Sequence, residues 1–297
     1  MTTSEHDAAA AFLETIRTQP PDQLELPDSI VCVEKRVYGQ VGERELTLDY
    51  YHRRALPGVA RPAIVFLHGG GWRGGSPRQF RRQAAYLALK YDFFAVSASY
   101  RLSDEAIFPA ALRDAKCAVR WVRANAEQWN IDPEHIAVAG GSAGAHLAAM
   151  IAATDGVVGY EGDGGYADQS SRANAAVCFN GVYDLWPLVG HEVGGEVLHA
   201  FLGGTSDQVP QRYDEASPIK HLHAGMPPML LLHGDADTTV SYEQALAMQE
   251  KLEELGVPVE VQIYPGRPHG WFNHPPHCAD TLLRMSDFLA EQFHFDP

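Results

Sequence analysis

Residues 136–153 read IAVAGGSAGAHLAAMIAA. The opening residues are small or β-branched and apolar, as in a short strand buried on both faces, while AHLAAMIAA has the composition of a helix packed into a core. Between them stands Gly140-Gly141-Ser142-Ala143-Gly144, the G-x-S-x-G pattern in a strand-turn-helix context. A serine hydroxyl is a weak nucleophile until a base takes its proton, and a sharp turn holds such a side chain clear of its surroundings. Glycine at 140 and 144 suits a turn where neighbouring backbone comes too close for a Cβ. Taken alone, the five residues also fit an ordinary glycine-rich turn, so the rest of the chain must decide.

On either side, short apolar runs alternate with longer helical patterns, which predicts parallel strands covered by helices on both faces. The predicted strands are AIVFLH (63–68), FFAVSASY (93–100), HIAVAG (135–140), AAVCFNG (175–181), PMLLLHG (228–234) and PVEVQIYP (258–265). Helical patterns fall near 77–90, 108–128, 143–153, 241–255 and 277–293. Before them, SIVCVEKRVY and ELTLDYYHR flank GQVGER (39–44), whose glycines suit a turn between antiparallel strands. Residues 9–18 predict a short outer helix ended by Pro20 and Pro21. Two segments break the rhythm: 155–171, rich in Gly and Asp, and 185–223, with short helical pieces among Pro and Gly. Such excursions commonly lie over a site or move.

A hydrolytic serine needs donors for the oxyanion, a base and an acid. His68-Gly69-Gly70-Gly71-Trp72 follows the strand AIVFLH, where glycines let backbone N–H groups turn toward a ligand. Gly70, Gly71 and Ala143 are the expected donors, with His68 bracing the loop through a backbone hydrogen bond. His233-Gly234-Asp235-Ala236-Asp237 follows MPPMLLL, and Asp237, deeper in that loop than Asp235, is the expected acid. Asp235 is expected to shape the turn. Of the 14 histidines, His269 lies just past the last strand, in Gly266-Arg267-Pro268-His269-Gly270, where the base belongs in the order serine, acid, histidine. His274 and His277 lie in a proline-rich surface stretch, and no helical His-x-x-x-His pair suggests a metal. Trp72, Phe108, Tyr183, Trp186 and Trp271 are candidate pocket walls, although large aromatics are as readily plain core.

The glycines also match a nucleotide motif, Gly69-x-Gly71-x-x-Gly74. A dinucleotide fold requires an acidic residue at the end of the next strand, and here that strand ends in Ser99-Tyr100-Arg101. The acidic residues 155, 161, 163 and 168 miss the spacing of a calcium loop, so a flexible insertion is expected there.

Together, HGGGWRGGS, YRLS, FPAALRDAKCAVRWVRANA, GGSAGAHLA, HGDADTTV and PHGW resemble the esterase branch of the α/β-hydrolases. That branch includes hormone-sensitive-lipase-like carboxylesterases and, more closely, bacterial feruloyl and acetylxylan esterases; the likeness covers roughly residues 44–293. It implies an α/β-hydrolase fold with Ser142, Asp237 and His269 as the triad, in agreement with the positional reading. It implies a carboxylesterase working through an acyl-enzyme, with an arylformamidase or amidase, or a ligand-binding homologue without catalysis, as rivals. The N-terminal segment is shorter than the helical cap of the lipase-like members. The expected organisation is one domain over 1–297, with 1–28 a helical segment and 185–223 an insertion forming a partial cap.

A net charge of −15 disfavours nucleic acid, which demands clustered Lys and Arg. An apolar share of 45% with 21% charged residues is that of a chain with a packed core. Cys32, Cys117, Cys178 and Cys278 have no paired spacing, so reduced thiols are expected. Without a basic, apolar leader or a membrane-length apolar run, a cytoplasmic protein is expected. No cofactor is called for; the expected partner is a small-molecule ester, and a homodimer is compatible with the sequence.

Overall fold

Strands made of continuous apolar residues are stable only when helices cover both their faces. In the structure, a computed structural model that describes residues 3–20, 23–54, 58–190 and 194–295, eight strands form one sheet among the described residues. They are β1 (Ile30–Val41), β2 (Arg44–Arg53), β3 (Arg61–Leu67), β4 (Phe94–Ala98), β5 (Ile131–Gly141), β6 (Ala175–Phe179), β7 (Met229–Gly234) and β8 (Val259–Tyr264). Their order across the sheet is β1-β2-β4-β3-β5-β6-β7-β8. β1 with β2 and β2 with β4 are antiparallel, and every pair from β4 to β8 is parallel.

The helices are α1 (Thr3–Thr18), α2 (Arg81–Tyr91), α3 (Ala110–Ala124), α4 (Ala126–Trp129), α5 (Ala143–Ala153), α6 (Val158–Glu161), α7 (Gly194–Leu202), α8 (Pro210–Glu215), α9 (Glu243–Glu254) and α10 (His277–Phe293). Alternate strand residues serve two cores. Ile64, Phe66, Ala137 and Leu230 pack with Ile16 of α1, Leu87 of α2 and Phe288 of α10. Val65, Val138 and Leu231 pack with Val119 of α3, Met150 of α5 and Leu252 of α9.

Several boundaries differ from expectation, among them the start of β5 at Ile131 rather than 135 and of α2 at Arg81, after a 3-10 turn over Pro77–Phe80. α1 begins at Thr3 rather than at 9; its apolar periodicity, which is what the sequence shows, starts only at Ala9, Phe12 and Ile16, the buried positions. α1 ends before Pro20, and Pro21 lies outside the described residues. The hairpin turn is only Gly42-Glu43, because Gly39 and Gln40 continue β1 and pair with Leu46 and Glu45. Gly42 takes φ +57, the positive value that a two-residue hairpin loop requires. Helix 108–128 divides into α3 and α4 at Asn125.

The segment 155–171 is tied down rather than loose. Glu161 of α6 pairs with the buried Lys116 at 2.7 Å and Arg120 at 2.9 Å, and accepts a hydrogen bond from Ser171. Among the described residues no helix is long and apolar enough to cross a membrane. Ligands of such sheets bind beyond the carboxyl ends of the parallel strands. The glycine loop follows β3, Ser142 follows β5, and the loops carrying Asp237 and His269 follow β7 and β8.

Candidate active site

Ser142 sits between β5 and α5 at φ +54 and ψ −117, a conformation that costs a non-glycine residue on the order of 1–3 kcal/mol. Its surroundings hold it there. The Ser142 N–H donates to the Phe179 carbonyl at 2.8 Å, and the His146 N–H donates to the Ser142 carbonyl at 2.9 Å. A Cβ at Gly144 would strike the Leu67 carbonyl oxygen, and one at Gly140 would strike the Gly144 carbonyl. The two glycines therefore let α5 start against β3 with the serine side chain standing free.

His269 bridges to the acid. Its Nε2 lies 2.9 Å from Ser142 Oγ and its Nδ1 lies 2.6 Å from Asp237 Oδ2. An ionised carboxylate only accepts, so Nδ1 carries the proton and Nε2 accepts from the serine hydroxyl. The Asp237 side chain is buried. Burial pushes its pKa up, but hydrogen bonds from His233, His269 and the Val240 N–H hold it well below the usual carboxylate range. Oδ1 accepts the N–H groups of Thr239 and Val240, each at 2.9 Å. Asn180, at the end of β6, donates from Nδ2 to Oδ2 at 3.0 Å. Asp235 is exposed and accepts the Gly266 N–H, joining the two loops, so it shapes the turn as expected from its position.

The glycine loop is pinned from behind. His68 Nδ1 donates to the Gly69 carbonyl at 2.9 Å, while Tyr100 stacks on the imidazole and donates to the His68 carbonyl at 2.7 Å. Burial pushes the His68 pKa down, which keeps the ring neutral. The Gly69 N–H is occupied by Gln79 Oε1 at 2.5 Å. By contrast, no hydrogen bond among the described residues uses the N–H of Gly70, Gly71 or Ala143. All three residues line the cavity of about 380 Å³ into which Ser142 and His269 open. Ala143 opens α5, where N–H groups have no intrahelical acceptor and the helix dipole favours negative charge.

Of the five aromatic candidates, only Trp72 lines that cavity. Phe108 is buried against Phe201 and Tyr160 and faces a separate hollow with Arg113 and Arg212. Tyr183 is fully buried behind the β6 loop, where Gln244 holds its N–H. Trp186 is partly exposed, packed on Tyr213 and bonded through Nε1 to Asp214. Trp271 is buried between Tyr264 and Phe272. These four build core or surface because neighbouring apolar residues, not the cavity, claim their rings. The walls missed from sequence are mainly aliphatic: Val182, Leu188, Val197, Leu198 and Val240, with Phe272 beside His269. Leu188, Val197 and Leu198 come from the 185–223 excursion, whose position in the rhythm was the one available signal; residues 191–193 of it lie outside the described residues.

With this geometry established, comparison with known proteins gives a consistent result. The BD-FAE family model matches residues 48–252. The chain belongs to the BD-FAE family. This BD-FAE chain is similar to two proteins of Mycobacterium tuberculosis. The probable carboxylic ester hydrolase LipM is 30% identical over 86% of this chain and 60% of its own length, and the esterase LipQ is 33% identical over 84% and 60%. The chain thus spans about 60% of the length of these curated relatives. It is also similar to the thermophilic esterase of Thermogutta terrifontis solved with propionate bound, at 34% identity and a TM-score of 0.77. That match covers 91% of this chain and 98% of the other. The same esterase phosphonylated by sarin matches at 33% identity and a TM-score of 0.77 over 92% and 98%. The sheet order, the helices on both faces and these neighbours make the fold that of an α/β-hydrolase.

Proposed function

We propose that this chain is a serine carboxylesterase acting on small to medium carboxylic esters. The observation that carries the reading is the unbroken hydrogen-bonded series Ser142–His269–Asp237 at the mouth of an apolar cavity. His269 takes the hydroxyl proton as Ser142 Oγ attacks the ester carbonyl, and Asp237 holds the imidazolium that forms. The N–H groups of Gly70, Gly71 and Ala143 receive the oxyanion, each contributing on the order of 2.7–4 kcal/mol to lowering the barrier. His269 returns its proton to the departing alcohol, and water then releases the acid by the same route. The names of the mycobacterial relatives and of the Thermogutta esterase support ester bonds as the target.

A cavity of about 380 Å³ is near the lower end of ligand pockets, which supports short acyl groups. Leu188 and α7, both from the 185–223 stretch, act as a partial cap by supplying part of the cavity wall. Free Cys117, Cys178 and Cys278 are buried, which suits a reducing cytoplasm. A homodimer is the assembly proposed, and sedimentation velocity would weigh it. Rates on p-nitrophenyl acetate, p-nitrophenyl butyrate, a feruloyl ester and formanilide test the reaction class. The short activated esters should lead; a faster rate on formanilide would make the protein an arylformamidase instead.

A further inference from the structure

His146 is the fourth residue after the serine and is completely buried in α5. Both ring nitrogens are engaged. Nε2 lies 2.7 Å from the Ala216 carbonyl and must donate to it, which leaves Nδ1 as the acceptor for the Trp72 indole N–H at 3.2 Å. Burial pushes the imidazole pKa down to about 4, so the ring is neutral at pH 7 and that acceptor is present.

Trp72 directly follows Gly70 and Gly71 and is itself left-handed, at φ +55. A tryptophan in that region of backbone space is strained, and it persists only where its surroundings over-determine it. Three contacts do so here. The indole stacks flat on Phe201 of α7, with centroids 4.2 Å apart and planes 10° apart. The Trp72 carbonyl accepts from both the N–H and the hydroxyl of Ser103. The third contact is the Nδ1 bond, the only one of the three that comes from the helix carrying the serine.

We propose that His146 is a positioning residue for the reaction: by accepting the indole N–H of Trp72 it sets the backbone of the glycine loop, and so the aim of the Gly70 and Gly71 N–H groups, relative to Ser142. The inference rests on the esterase reading above. It assigns the histidine a role beyond core packing, because one atom of the ring carries it. The same cluster joins α5 to α7, since the His146 ring meets both Trp72 and Phe201 edge-on, with centroids 5.0 and 5.6 Å away, and Trp72 stacks on Phe201.

The test separates the two ring nitrogens. In His146→Asn, Oδ1 falls near the position of Nδ1 and can still accept from Trp72. In His146→Gln, the longer amide can reach Ala216 but leaves the indole N–H without its acceptor. Displaced donors cost rate in the transition state, so kcat on p-nitrophenyl butyrate should fall about tenfold or more in His146→Gln, with KM changed less than about twofold. His146→Asn should restore most of kcat. Trp72→Phe deletes only the donor and keeps the stack, and in that background His146→Gln should have no further effect on kcat. Equal losses in the Asn and Gln variants, losses that simply track the melting temperature, or additive losses with Trp72→Phe would overturn the positioning role. Full activity in Ser142→Ala would instead overturn the esterase reading itself, whatever the His146 variants do.

Discussion

At the scale of single residues, function is concentrated in a few atoms whose removal leaves the fold alone. Among the described residues, Ser142 Oγ makes its hydrogen bond only with His269. Ser142→Ala should therefore lower turnover of p-nitrophenyl acetate by at least about a thousandfold while the melting temperature stays near wild type. Asp237→Asn keeps the shape of the site but removes the charge that fixes the imidazole tautomer, and kcat should fall on the order of 10⁴-fold. Asn180→Ala, which withdraws one donor from Asp237 Oδ2, should lie between that variant and wild type in the same assay. The three principal residues were legible in sequence because each follows a strand in a fixed order, and a place just past the last strand separates His269 from His274, His277 and His294, which also follow the acid. Asn180 and His146 were not legible. Their significance depends on which side chain lies opposite, and nothing in AAVCFNG or AHLAAM names the partner.

At the scale of elements, the turn between β5 and α5 and the helix α7 carry different constraints. The Cβ of Gly144→Ala would meet the Leu67 carbonyl oxygen, backbone in the middle of the sheet, whereas one at Gly58 would meet nothing within 4 Å. In urea denaturation Gly144→Ala should lose about 1–3 kcal/mol or more, and Gly58→Ala almost nothing. α7 faces the cavity with Val197 and Leu198. Val197→Ala should raise the ratio of kcat/KM on p-nitrophenyl octanoate to that on the acetate by about tenfold; an unchanged ratio would mean that α7 does not bound the acyl chain. The strands were legible where β3, β5 and β7 carry the apolar runs AIVFL, IAVA and MLLL, and not at Ile131–His135, where β5 begins among polar residues. The cavity walls were less so, because aromatic content pointed to Phe108, Tyr183, Trp186 and Trp271, while packing gave those rings to the core and the surface. Aliphatic residues of an irregular excursion took their place, and such segments have no periodicity to read.

At the scale of the whole molecule, the sheet brings together loops separated by 127 residues between Ser142 and His269 and holds neutral histidines inside. Burial lowers His146 from its ordinary 6.5 to about 4. The unfolded chain takes up that proton as pH falls below about 6.5, whereas the folded protein refuses it until about 4, so this group removes stability across that window as the solution is acidified. Wild type should lose more of its urea midpoint between pH 7.5 and 5 than His146→Asn does; equal losses would show that the ring is not held neutral. The architecture was legible as a parallel sheet with an antiparallel hairpin because strand and helix periods alternate so regularly. The anchoring of 155–171 by Lys116 and Arg120 was not, since its acidic residues show no partner in sequence. The reaction itself is tested most directly by treating the intact protein with a fluorophosphonate probe and mapping the adduct by mass spectrometry. A single adduct on Ser142, strongly slowed in His269→Ala, is the predicted result; an unmodified serine, or an adduct elsewhere with esterase activity intact, would contradict it.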